Sequence, residues 1–306
     1  MKIFHICAGW EKWNGAANIA RLIMGEQERE GHEVSFAMWA SIGRLRRADE
    51  VWIHCSWKPC LWWAALWGRN VHWMPECSYD PIRRRYHGWK KTLVGPIERF
   101  CLRRAKALIA TCEAEKGWIQ SYLGKHCPPV IVTDIKRFFK LVSGGVESGG
   151  VGSGGVCSNN SQLHLLYLGR RHPLKGLSYL ESALTTYYNV LSKPQVVSVP
   201  SDQTTATYYN KCSVEFRAVS NAFGAELEKV WDWCDVLILP TLSDNFGLVI
   251  AEALERGKRV ITTDGAPAWS DGSTYGGRLV YINGFRDGTS EKRVELLKSA
   301  IERVCK

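Results

Sequence analysis

Residues 235–263 read Asp235-Val-Leu-Ile-Leu-Pro240-Thr-Leu-Ser-Asp244-Asn-Phe-Gly247-Leu-Val-Ile-Ala-Glu252-Ala-Leu-Glu-Arg256-Gly257-Lys-Arg-Val260-Ile-Thr-Thr263, and this stretch decides the fold. Val236 to Leu239 is a short, branched, apolar run closed by Pro240, the pattern of a buried parallel strand. Leu248 to Arg256 has helical composition, and Gly257 follows where a left-handed C-cap is expected. Val260 to Thr263 restarts an apolar strand, so the whole is a βαβ unit. Ligands of open α/β sheets sit at the carboxyl ends of strands, which is where Thr241 to Gly247 falls. The backbone amides of Phe246, Gly247 and Leu248 open the helix and face an anion there. Asp244 and Glu252, eight positions apart around the turn, can accept hydrogen bonds from hydroxyls of one bound molecule. A ligand rich in hydroxyls and phosphate suits the arrangement; an ordinary βαβ unit with two surface acids is the competing reading.

Outward from this unit the alternation of strands and helices continues. In the first half, strands are expected at 2–7, 33–38, 51–55, 70–74, 108–111 and 130–133. Helices are expected at 15–30, 59–67, 96–104 and 113–123, the first with Asn14 as N-cap and Ala16, Ile19, Ala20 and Ile23 on one face. From Leu163 the pattern resumes, with strands at 163–168, 195–199 and 213–219 and helices at 178–191, 225–231 and 291–304. Between the halves, Ser143 to Gly155 is almost wholly Gly, Ser and Val, a composition that cannot build a core. The expected organisation is α/β: two Rossmann-like, doubly wound, mostly parallel domains facing across a cleft. Their bounds are 1–142 and 161–290, joined by a Gly/Ser-rich linker at 143–160. The terminal helix, 291–306, can pack back on the first domain.

Bulk numbers exclude several classes. At 306 residues with 45% hydrophobic and 23% charged, the chain is globular rather than disordered. No apolar run reaches the ~18 residues that a bilayer-spanning helix needs. The apolar N-terminus soon meets Glu11, Lys12 and Asn14, and reads as a first strand rather than a signal peptide. Eleven cysteines without CxxC pairs suit reduced, mostly buried thiols in a cytoplasmic protein. A formal charge of +10 calls for an anionic partner: nucleic acid, phosphorylated substrate or membrane surface. No nucleic-acid motif accompanies it. Trp52, Trp57, Trp62, Trp63, Trp67 and Trp73 suit a sugar-stacking or interfacial surface, with buried aromatic core as the plainer reading.

Four further stretches carry chemistry. Leu166-Tyr-Leu-Gly169-Arg170-Arg-His-Pro-Leu-Lys175-Gly176 leaves a strand at Gly169, so Arg170 and Lys175 share one loop at the sheet's carboxyl edge. Arg grips phosphate oxygens bidentately and Lys adds a compact charge. Gly9-Trp-Glu-Lys-Trp-Asn-Gly15-Ala-Ala17 joins the first strand to the first helix, and Gly15 lets the backbone approach a ligand. Met74-Pro-Glu76-Cys-Ser-Tyr-Asp80-Pro81 leaves the fourth strand at its ligand-facing end. Glu76 or Asp80 can occupy the cleft there, or the segment is a structural turn; His54 is a lesser candidate, since a lone strand histidine is usually core. Arg83, Arg84, Arg85, Lys90 and Lys91 form a basic run that suits a phosphorylated lipid-linked acceptor or an anionic membrane leaflet, or is a solvated loop face.

The stretch Asp244-Asn-Phe-Gly with Glu252-Ala253, Gly169-Arg170 followed by Lys175-Gly176, and the loop at Gly15 together resemble the retaining GT-B glycosyltransferases of glycosyltransferase family 4. That family carries Glu-x7-Glu where this chain has Asp244 and Glu252, a first carboxylate shorter by one methylene. Many of its members place a His after the fourth strand, where this chain has none between Met74 and Tyr86. The resemblance implies a nucleotide-sugar donor, UDP- or GDP-linked, as substrate, with no cofactor and no metal. Arg170 and Lys175 would bind its diphosphate and Glu252 its ribose. Asp244, Asn245 and the amides of Phe246, Gly247 and Leu248 would hold the sugar, with Gly15 and Gly169 lining the donor site. Asp244, Glu252, Arg170, Lys175 and Glu76 are the candidate catalytic residues. Arg83, Arg84, Arg85, Lys90 and Lys91 would meet a saccharide or lipid-linked glycan acceptor or the inner membrane face, in lipopolysaccharide or other envelope glycan assembly. A non-catalytic anion- or membrane-binding protein on a degenerate GT-B fold is the rival.

Overall fold

The computed structural model describes residues 1–7, 15–56, 58–141, 162–187, 197–199, 203–209, 213–220 and 222–305. They form two compact units, Met1–Phe138 and Phe139–Lys306. The expected linker at 143–160 lies outside the described residues, as does the loop 8–14 with Asn14.

The first unit runs β1 (Lys2–Cys7), α1 (Gly15–Arg29), β2 (Glu33–Ala37), α2 (Ile42–Arg47), β3 (Glu50–His54), α3 (Pro59–Trp67) and β4 (Val71–Met74). It continues with α4 (Pro81–His87), α5 (Trp89–Leu102), β5 (Ala107–Ala110), α6 (Glu113–Leu123) and β6 (Val130–Val132). The sheet order is β2-β1-β3-β4-β5-β6, with every pairing parallel. Strand order reverses between β1 and β3, so a crevice for ligand opens at their carboxyl ends. Its core gathers Phe4, Ile6, Val51, Ile53, Leu61, Trp73 and Leu108.

Two expectations in this unit need correction. The sequence puts a helix at 96–104 and reads the basic run before it as loop. Instead, Asp80 accepts a hydrogen bond from Ile82 N at 2.8 Å as N-cap, and Pro81 starts α4 at the position where its missing N–H costs nothing. Pro96 then lies inside α5 rather than at its start. The short α2 was also unforeseen; Ser41 caps it by accepting from Arg44 N.

The second unit runs β7 (Leu163–Leu168), α7 (Leu177–Tyr187), β8 (Val197–Val199), β9 (Gln203–Tyr209), β10 (Ser213–Val219) and α8 (Gly224–Trp233). It ends with β11 (Val236–Leu239), α9 (Leu248–Glu255), β12 (Arg259–Thr263), β13 (Leu279–Ile282) and α10 (Ser290–Val304). The order is β13-β12-β11-β7-β10-β9-β8. Strands β13 to β10 run parallel, but β9 is antiparallel to β10 and β8 to β9. The expectation of a doubly wound sheet therefore holds for five strands, and a hairpin edge is added. α10 packs on α7 and β13 of this second unit. Among the described residues no helix is long and apolar enough to cross a membrane.

Candidate active site

Three loops meet at the carboxyl edge of β7, β11 and β12, and the hydrogen bonds between them explain why they hold one shape. The carbonyl of Leu174 accepts from Leu242 N at 2.8 Å and from Thr241 Oγ1 at 3.0 Å. Tyr167 Oη donates to the Arg170 carbonyl and Ser220 Oγ to the Gly169 carbonyl, each at 2.8 Å. Gly176 closes the first loop at φ +68°, and a Cβ there would lie 1.9 Å from the Pro240 carbonyl oxygen. Gly176→Ala combines a left-handed backbone with a collision against main chain, a cost of about 2–4 kcal/mol. Differential scanning calorimetry should show the melting temperature falling by roughly 5–15 °C; an unchanged value would refute this packing.

These loops bring the two sequence motifs together. Lys175 Nζ forms an ion pair with Asp244 Oδ2, both side chains only 15% exposed. Asp244 Oδ1 also accepts from Asn245 N at 2.8 Å, and Asp244 N donates to the Gly265 carbonyl at 2.8 Å. Both oxygens of the carboxylate are thus engaged. Phe246 is buried against Trp269, whose Nε1 donates to the Phe246 carbonyl at 2.5 Å. Gly247 then turns into α9 at φ +71°, a conformation in which a Cβ would press on Ile250. α9 has neither a side-chain cap nor an acidic residue in its first turn, so its positive end stays open to an anion.

Arg170 is exposed on the loop that carries Lys175. Glu252 lies half-buried one turn into α9. Burial raises its carboxyl pKa above the ordinary range, Arg256 opposes the shift, and Glu255 and Glu228 add to it. An acceptor there, two cations and an open helix terminus on one edge can hold a phosphate and neighbouring hydroxyls. Among the described residues no three His, Cys, Asp or Glu side chains gather to hold a metal ion.

The sequence candidates in the first unit have other surroundings. Asp80 is buried as the cap of α4. Glu76 is buried with φ +55°, beside Cys55 and Cys77, which are also left-handed. Three such residues at the ends of β3 and β4 mark strain that the neighbours must hold. Cys55 Sγ donates to Glu76 Oε2 at 3.4 Å, and Arg83 Nη1 reaches the Glu76 carbonyl at 3.3 Å. Glu76 Oε1 faces His54 Nδ1 at 3.6 Å, and His54 Nε2 meets His5 Nδ1 at 3.0 Å. His5 Nε2 donates to Gln27 Oε1 at 2.7 Å. Burial pushes Glu76 up to about 8 and both histidines down to about 3, so all three are neutral near pH 7. The tautomers follow: His54 donates to His5, and its free Nδ1 can accept a proton from the Glu76 acid.

Gly15 is the first residue of α1. Arg83, Arg84 and Arg85 lie on α4 and Lys90 and Lys91 on α5, helical rather than loop positions. Of the tryptophans, Trp73 is fully buried, Trp52 stacks on His72 at 4.9 Å, and Trp63 is 37% exposed. Sequence reasoning missed Glu115. Its Oε1 accepts from Cys77 N at 2.6 Å, and its Oε2 from Thr111 N at 2.7 Å and Thr111 Oγ1 at 2.8 Å. This buried carboxylate holds the strained turn, and its place at the third position of α6 was the available signal.

Two Rossmann-like units with this edge chemistry define the GT-B class of α/β fold. The family model described as a glycosyl transferase 4-like domain matches residues 20–132, and that of glycosyl transferases group 1 matches residues 162–305. Together the two matches take in most of the chain, which belongs to the GT-B glycosyltransferases of this family 4, group 1 type. Solved structures share the fold. Sucrose-phosphate synthase from Thermosynechococcus elongatus superposes with a TM-score of 0.62 at 12% identity, over 99% of this chain and 90% of that one. HepE from Anabaena, solved in complex with UDP-glucose, gives 0.60 at 16% identity with the same coverage. WaaG, a glycosyltransferase involved in lipopolysaccharide biosynthesis, gives 0.60 at 12% identity, again over 99% and 90%. No curated protein sequence matches the chain.

Proposed function

We propose that the chain moves a hexose from a UDP- or GDP-linked sugar, with retention at the anomeric carbon, to a saccharide or lipid-linked glycan of envelope polysaccharide or lipopolysaccharide assembly. The observation that carries the donor side is the meeting of Lys175 and Asp244 beneath the open end of α9. HepE was solved with UDP-glucose, which supports this donor class for a chain of the same fold. The bond from C1 to the phosphate oxygen breaks while the acceptor oxygen bonds C1 from the same face. The acceptor proton leaves with the phosphate oxygen. Arg170 and Lys175 stabilise the charge growing on the departing diphosphate, the task a divalent cation performs elsewhere. Glu252 accepts from the ribose hydroxyls, and Asp244 with Asn245 and the Gly247–Leu248 amides orients the sugar. The acceptor class brings the enzyme to the inner face of the cytoplasmic membrane.

The test is a thermal-shift series with UDP, GDP, ADP, CMP and their sugars, on wild type, Glu252→Ala and Arg170→Ala. One nucleotide should raise the melting temperature by several degrees in wild type and in neither variant, because ligand binding stabilises the folded state by mass action. Failure of every nucleotide to shift wild type would remove the donor site and with it the transferase reading. Chelation with EDTA should leave transfer unchanged.

A further inference from the structure

We propose that α4 and α5 form a docking surface for an anionic lipid bilayer. This deepens the acceptor side of the proposed function, but it stands on its own residues. On α5 the ordinary amphipathic pattern is reversed. Leu93, Ile97 and Phe100, spaced i, i+4, i+7 on one face, are 68%, 55% and 57% exposed. Glu98, Cys101 and Leu102 are turned into the protein instead. The buried Glu98 carboxylate accepts from Tyr122 Oη at 3.1 Å. A surface helix normally shows water its polar face; this one shows a Leu, an Ile and a Phe. On α4, Tyr86 is also 50% exposed.

Charge complementarity decides the occupant. Residues 81–104 hold eight Lys and Arg and a single acid, Glu98, which is buried, so this segment carries most of the chain's formal +10. Arg84 and Arg85 on α4, and Arg103 and Arg104 just beyond α5, are exposed. The Arg104 guanidinium lies 5.9 Å over the Phe100 ring, at the border of the apolar stripe. Cations on and just beyond the same two helices as exposed Leu, Ile and Phe, with Arg104 against Phe100 itself, suit the boundary between phosphate headgroups and acyl chains. A protein partner would have to supply a large acidic surface with an apolar centre, whereas an anionic leaflet presents both by its composition.

The experiment is vesicle flotation of the full chain. Vesicles of phosphatidylethanolamine with phosphatidylglycerol are compared with pure phosphatidylcholine. Wild type should float with the anionic vesicles, less at raised salt, and stay behind with phosphatidylcholine. Leu93→Gln/Ile97→Gln/Phe100→Gln keeps helix-forming residues and removes the apolar stripe; its vesicle affinity should fall by at least about 10-fold. Arg85→Glu/Arg104→Glu should lose a comparable factor. Both variants should keep the wild-type nucleotide shift, which separates failure of this surface from failure of the donor site. Flotation of the triple variant equal to wild type would overturn the proposal, as would absence of wild-type binding. A wild-type dimer that the triple variant converts to monomer, seen by sedimentation velocity, would make the stripe a self-interface and overturn it too. Should the triple variant melt early, Leu93→Gln and Phe100→Gln singly carry the same comparison.

Discussion

Lys175→Ala should lower kcat for sugar transfer by about 10²–10³-fold while the protein remains folded. The side chain is mostly enclosed and bonded to Asp244, so in the empty site its charge is already neutralised locally. On the proposed mechanism a diphosphate arriving beneath α9 would compete with Asp244 for that ammonium, and the Lys charge would be worth most when the leaving group carries its full negative charge. Alanine removes this and also leaves the Asp244 carboxylate unopposed beside an anionic ligand. The two effects separate in a double-mutant cycle. If Lys175 serves only to neutralise Asp244, then Lys175→Ala/Asp244→Asn should be no slower than Asp244→Asn alone, which already carries the loss of the sugar-orienting carboxylate. If it acts on the departing phosphate, the double variant should be slower than Asp244→Asn by about the factor that Lys175→Ala costs the wild type. We expect the second result. A Lys175→Ala enzyme within about threefold of wild type would sink the assigned role, since even a weak transition-state contact is worth more.

This pairing shows how far the sequence could be read. Lys175 and Asp244 lie 69 residues apart, yet each follows a strand whose apolar run is unmistakable. β7 and β11 pair directly, Leu165 opposite Val236, so parallel neighbours bring their carboxyl-end loops together. Side-chain period, Pro240 and Gly257 were enough to find these elements. Elsewhere the same signals misled. Pro96 reads as the start of a helix at 96–104 with no helix before it, whereas Pro81 starts α4 and Pro96 is accommodated within α5. β9, Gln203 to Tyr209, lacks an apolar face and reads as loop, because Thr and Tyr favour a strand through their shape rather than their hydrophobicity. The chain His5–His54–Glu76 was illegible for another reason. His54 faces β1 only through the register that sets Cys7 opposite it, and sheet order is not written in any local pattern.

That buried chain should dominate the pH dependence of stability. Glu76 has a folded-state pKa of about 8 against an ordinary 4.5, so between these values the folded protein holds a proton that the unfolded chain has released. Its contribution is complete below about pH 4.5 and is lost as pH rises through 8. His5 and His54 act in the opposite sense. Their folded values near 3 lie below the ordinary 6.5, so their contribution is complete above 6.5 and is lost as pH falls towards 3. Wild type is thus squeezed from both sides, with Cys55, Cys7, Glu115 and the partly compensating Arg83 as other ionisable groups facing the acid. Glu76→Gln keeps the shape of the side chain and removes only the alkaline limb. Relative to wild type it should be near-neutral at pH 5 and more stable at pH 8, by several kcal/mol or roughly 10 °C. The acid limb should survive in Glu76→Gln, because the histidines still resist charging. Parallel melting curves for the two proteins from pH 5 to 8.5 would show instead that Glu76 is ionised in the folded state, balanced by a His54 cation. In that event the buried chain would be an ion pair rather than a neutral one, and Glu76→Gln would be the less stable protein at every pH in the range.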